Sequence, residues 1–96
     1  MEEQLYLMNV YDYYKDLLTD KQQGYFEEYY FNDLSLSEIS ENYGVSRNAV
    51  HKQLKDIENK LIEYEEKLKL YSKAIEIKKI LVNVDEETKI KIENLI

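Results

Sequence analysis

Leu34-Ser35-Leu36-Ser37-Glu38-Ile39-Ser40-Glu41-Asn42-Tyr43-Gly44-Val45-Ser46-Arg47-Asn48-Ala49-Val50-His51-Lys52-Gln53-Leu54 is the stretch that decides the fold. Ser35 to Glu38 matches a capping box, in which the serine hydroxyl and the glutamate carboxylate each satisfy a free amide of the first turn. Leu36, Ile39 and Tyr43 then share one side of a short helix. Gly44 suits the left-handed conformation that ends a helix, and Ser46 is a good N-cap for the next one. Val45 can plug the angle between the two helices, and Ala49 is small enough to let them cross closely. Val50 and Leu54 continue the inward face. Together these residues spell a helix-turn-helix over about residues 35–57.

Working outward, Leu7, Tyr11, Tyr14 and Leu18 stand at i, i+4, i+7 and i+11, one face of a helix over residues 2–18. Thr19-Asp20-Lys21-Gln22 is another capping box. It opens a helix to about Phe31, with Phe26, Tyr29 and Tyr30 turned inward. Gly24 inside that helix costs about 1 kcal/mol relative to alanine. Downstream, Val50, Leu54, Ile57, Leu61, Tyr64, Leu68, Tyr71 and Ile75 alternate in steps of four and three, a heptad seam. The helix it implies runs from Arg47 to about Val82. Straight, it would be about 50 Å long, against about 32 Å for the diameter of a compact domain of this size. It must project from the body or break, and Leu70 to Ser72 is the place for a break. Asp85 can cap a terminal helix over about 85–96, carrying Ile92, Leu95 and Ile96. The expected architecture is all-α: one domain over 1–96, a helix-turn-helix bundle with a long C-terminal helix and a short terminal one.

Composition narrows the function. With no proline and two glycines in 96 residues, hairpins and Gly-rich phosphate loops are excluded. The absence of cysteine removes disulfides, thiolate metal sites and a thiol nucleophile. His51, the single histidine, has no partners for a metal site. The acid pairs Glu2-Glu3, Glu27-Glu28, Glu65-Glu66 and Glu86-Glu87 point about 100° apart on a helix and cannot converge on one bond. They read as solvated faces. No catalytic, metal or cofactor site is expected, and a non-enzymatic protein is expected. No apolar run approaches the roughly 18 residues of a membrane span. Met1-Glu2-Glu3-Gln4 lacks the basic start of a signal peptide. A cytoplasmic protein with no membrane partner is expected.

The net charge of −7 is uneven. Acids dominate residues 1–34, whereas Ser46 to Lys55 holds Arg47, His51, Lys52 and Lys55 and no acid. At about 100° per residue from Arg47, the core positions Val50, Leu54 and Ile57 fall between about 280° and 340°. Arg47, Asn48, His51, Lys52 and Lys55 fall between about 0° and 140°, an outward strip at the helix start. Arg47 suits guanine and Asn48 suits adenine, while Lys52 and Lys55 suit phosphates. The same strip could dock on duplex DNA, an RNA backbone or an acidic protein groove. The ten tyrosines do not form a stacking platform. Tyr11, Tyr14, Tyr29, Tyr43, Tyr64 and Tyr71 follow buried spacing.

Leu17-Leu18-Thr19, Gln22, Leu34 to Ser40 and Gly44 to Val50 resemble region four of bacterial sigma factors. The continuation Leu61 to Tyr71 and the Tyr-rich start are more similar to the YlxM family of small bacterial helix-turn-helix proteins, over about residues 5–75. That resemblance implies a regulatory role in the signal recognition particle pathway, with the particle's GTPase or its RNA as partner. Duplex DNA is the alternative partner, for a transcription regulator. The heptad seam outlasts the body that could cover it, so a homodimer through the long helix is expected. Tyr64 and Tyr71 are bulky for a tight two-stranded coil, and cover by the first helix is the other solution.

Overall fold

The computed structural model describes residues 2–96. The chain runs through α1 (Glu2–Tyr14), a 3-10 turn (Lys15–Leu17), α2 (Asp20–Tyr30), α3 (Leu36–Tyr43), α4 (Arg47–Leu68), α5 (Leu70–Ile80), a second 3-10 turn (Leu81–Asn83) and α6 (Glu86–Glu93). No strand occurs among the described residues, and the fold is all-α.

Each early boundary follows from its capping chemistry. The Thr19 hydroxyl accepts from the Gln22 amide at 3.1 Å, and the Gln22 side chain accepts from the Thr19 amide at 2.9 Å. Ser35 and Glu38 repeat this reciprocal pair at 3.1 and 2.9 Å. Gly44 closes α3 at φ 65°, where a Cβ would be strained. Ser46 then accepts from the Ala49 amide at 3.1 Å to open α4.

α4 is the axle of the body, and α1, α2 and α3 pack around its first four turns. Leu7, Val10, Tyr11, Tyr14 and Leu18 from the N-terminal segment meet Tyr25, Phe26 and Tyr30 of α2, Ile39 of α3, and Val50, Leu54, Ile57 and Leu61 of α4 in one core. The first half of the heptad seam is therefore covered by the chain itself. Tyr11 and Phe26 stack with centroids 4.3 Å apart, as do Phe26 and Tyr30. Tyr29, Tyr43, Tyr64 and Tyr71 are half-buried against this core. Gly24 has a second role beyond its helix cost. A Cβ there would collide with the Tyr43 hydroxyl, whose ring packs 4.4 Å from Tyr25.

The long helix does not continue to residue 82. It stops at Leu68, and Lys69 turns left-handed at φ 56° before α5 starts. The cause is Glu65, which is buried rather than solvated. Its carboxylate accepts from the Tyr71 amide at 3.1 Å, the Ser72 amide at 3.0 Å and the Ser72 hydroxyl at 2.6 Å. The Tyr14 hydroxyl donates to Glu65 at 2.7 Å and accepts from the Leu70 amide at 3.0 Å. The first three amides of α5 are thus satisfied by a residue of the preceding helix and a residue of α1. Burial alone would raise the Glu65 carboxyl. The hydrogen bonds from Ser72, Tyr14 and the Tyr71 amide outweigh it and hold the group below the usual carboxylate range.

Past this joint the seam loses its cover. Of its last positions Leu68 is exposed and Tyr71 and Ile75 are only half-buried, and beyond the joint only Ala74 and Leu81 are buried. Asp85 caps α6 through the Thr88 amide at 3.0 Å, but the helix ends at Glu93, with Leu95 and Ile96 exposed. The molecule measures 52 × 25 × 24 Å, with a Cα radius of gyration of 16.3 Å. A compact chain of this length would have about 12.5 Å.

Candidate nucleic-acid interface

The helix-turn-helix presents the start of α4. Leu34, Leu36 and Val45 pack partly into the core, Ile39 and Val50 pack fully, and the Gly44 turn fixes the angle between α3 and α4. Arg47, Asn48, His51, Lys52 and Lys55 are all exposed. Their outward placement follows from the burial of Val50, Leu54 and Ile57 on the opposite side of the same helix. The first turn of α4 contains no acidic residue, so the partial positive charge of the helix start adds to the basic side chains.

The five residues are not equivalent. Lys55 lies 3.5 Å from the Glu58 carboxylate, one turn on. Glu58 in turn accepts a hydrogen bond from the Tyr30 hydroxyl on α2. Burial, then that hydrogen bond, pushes the Tyr30 hydroxyl far above the usual phenol range, so it remains a donor. Lys55 therefore sits at the end of a Tyr30–Glu58–Lys55 chain that ties α2 to α4 and offsets part of its charge. Among the described residues, Arg47 and Lys52 form no ion pair. They are the cations most available to an anionic ligand.

His51 and Lys55 also line a cleft of about 280 Å³, together with Leu36, Leu54, Tyr30 and the acid Glu58. Sequence spacing finds the strip but not this cleft, which is built from four helices. The i, i+3 spacing of Lys55 and Glu58 is a visible signal for their pairing, whereas the link to Tyr30 depends on tertiary packing. The strip offers a guanidinium fork, an amide, an imidazole and two ammonium groups, which suits bases, phosphates or carboxylates.

Among the described residues, no group of three histidine, cysteine, aspartate or glutamate side chains is placed to hold a metal ion. No described helix is long and apolar enough to cross a membrane.

Comparison with known proteins agrees with this architecture. The model of the UPF0122 family, described as "Putative helix-turn-helix protein, YlxM / p13 like", matches residues 1–95. A UPF0122 protein of Desulforamulus reducens is 55% identical over 73 residues, which are 76% of this chain and 62% of that protein. The chain thus spans less than two thirds of that relative. A UPF0122 protein of Caldanaerobacter subterraneus is 48% identical over 82 residues, 85% of this chain and 70% of that protein. One from Fusobacterium nucleatum is 40% identical over 97 residues, 100% of this chain and 94% of that protein. On these matches and on its fold, the chain belongs to the UPF0122 family of helix-turn-helix proteins.

Proposed function

We propose that the protein is a non-enzymatic regulator that contacts duplex nucleic acid through the start of α4. The observation that carries this reading is the acid-free strip of Arg47, Asn48, His51, Lys52 and Lys55, exposed on a capped helix whose other face is locked into the core. A recognition helix needs that arrangement: rigid backing, and base- and phosphate-reading side chains at its N-terminal end. The likeness of the same segment to sigma region four supports this orientation.

A second reading is favoured by the net charge of −7, which works against free scanning of DNA. In it the regulator acts in the signal recognition particle pathway and meets the particle's RNA, or its GTPase, with the same strip. One titration separates the two. Labelled duplex DNA, the particle RNA and the purified GTPase are each mixed with the protein at ~50 mM salt. Binding of either nucleic acid should weaken by about tenfold or more in Arg47→Glu with Lys52→Glu. With three cations engaged, the log–log salt slope on duplex DNA should be about −3. Binding of the GTPase alone would favour the second reading. Binding of the particle RNA without duplex DNA would likewise favour the second reading and overturn the first. No binding to any of the three would leave the helix-turn-helix as a scaffold and overturn both.

A further inference from the structure

The segment beyond the joint, residues 70–96, is an arm with almost no core of its own. Ile80 and Val82 are 71% and 74% exposed and Leu95 is 84% exposed, while α6 has no buried residue. Helices of 11 and 8 residues are marginal in water without packing. The surplus surface can be sized. A compact protein of this mass exposes about 5,800 Å². This chain exposes 6779 Å², an excess of about 900–1,000 Å². One partner's share of a standard interface is about 800 Å².

The charges say what would cover it. The α5 segment carries Lys69, Lys73, Lys78 and Lys79 against a single acid, Glu76, and ends in a basic turn. α6 opens on Asp85, Glu86 and Glu87 and, with Lys89 and Lys91 following, residues 85–93 hold four acids against two bases. The ion pairs Lys79–Glu76 and Lys91–Glu87 lie on the exposed surface and engage only part of these charges. One arm therefore holds both a basic and an acidic apolar element, and a twofold axis would bring each against its opposite. We propose that a second copy of this chain covers the arm, with α5 of one copy lying antiparallel along α6 of the other. The dimer contact thereby moves off α4, whose apolar face is buried in the body as far as Leu61, with Leu68 at its end exposed. It does not depend on what the α4 strip binds.

Sedimentation equilibrium over a range of concentrations tests this, with far-UV circular dichroism as the control for folding. The wild type should have twice the 11.6 kDa chain mass. Ile80→Glu with Val82→Glu should be monomeric at the same concentration, and Leu5→Glu, an exposed apolar position on α1, should remain dimeric. Lys78→Glu with Lys79→Glu should weaken the dimer at least tenfold, and adding Glu86→Lys with Glu87→Lys to the same chain should restore it. That rescue does not rely on the apolar variants staying folded. A wild type that remains at 11.6 kDa at several hundred micromolar overturns the proposal. So does a dimer indifferent to both the apolar and the charge-reversed variants.

Discussion

Three tyrosine–glutamate hydrogen bonds tie the helices of the body together, and two of them use acids, Glu27 and Glu65, that the sequence presents as solvated faces. Tyr11 donates to Glu27 at 2.5 Å, Tyr14 to Glu65, and Tyr30 to Glu58. A ring can fill the core while its hydroxyl reaches a carboxylate at the edge, which is why so many tyrosines coexist with so many acids. The spacing rule finds Tyr11 and Tyr14 but misses Val10 and Tyr25. Both are buried because α1 and α2 each pack on more than one neighbour, and the apolar face is wider than a single stripe. Glu65 is the residue least legible in the sequence, since nothing local distinguishes it from Glu66. Glu65→Ala leaves the Tyr14 hydroxyl proton and the Tyr71 and Ser72 amides without acceptors, and urea unfolding should show a loss of about 2–3 kcal/mol. Gly24 tests packing in a different way. Gly24→Ala should destabilise the protein because of the Tyr43 hydroxyl, although alanine is the better helix former. Combined with Tyr43→Phe, which removes the obstructing oxygen, it should become neutral or stabilising in thermal melts.

At the scale of elements, boundaries were legible wherever the cap lies within three residues of the helix it serves. Thr19, Ser35, Ser46 and Asp85 all do so, and each caps the helix the sequence assigns to it. The break between α4 and α5 falls at Lys69, one residue before the expected stretch. Its cap comes from Glu65 and from Tyr14, 56 residues away from Leu70, so no local pattern could show it. Lys69 adopts the left-handed conformation without being glycine. Lys69→Gly should therefore stabilise the protein by about 0.5–1 kcal/mol in chemical denaturation. The joint is also acid-sensitive. The Glu65 carboxyl is lowered in the folded state, so its contribution is present above its unfolded value of 4.5 and is lost as pH falls through the folded one. Burial and the bond to Glu65 push the Tyr14 hydroxyl up to about 12. Its contribution is complete below the ordinary phenol value of 10 and fades as pH rises through about 12. Protection factors of the Leu70, Tyr71 and Ser72 amides should fall on acidification before those of Val50 or Ile57 do. A simultaneous fall throughout would mean that the joint has no local stability of its own.

Over the whole molecule, the sequence conveyed the helical class, the helix-turn-helix and the faces of its two helices, because those rest on local chemistry and periodicity. The excess length of the C-terminal helix over the body was legible, but what covers its seam was not, because a heptad seam reads the same whether its own chain or another copy covers it. The acidic body and the basic strip divide the surface into one region that repels a nucleic acid and one that can receive it. The most direct test of the account is amide chemical-shift mapping of the labelled protein during titration with duplex DNA and with the particle RNA at ~50 mM salt. It predicts shifts centred on Arg47, Asn48, His51 and Lys52, with α5 and α6 nearly unmoved. Shifts confined to the arm, or none at the start of α4 with either nucleic acid, would contradict it.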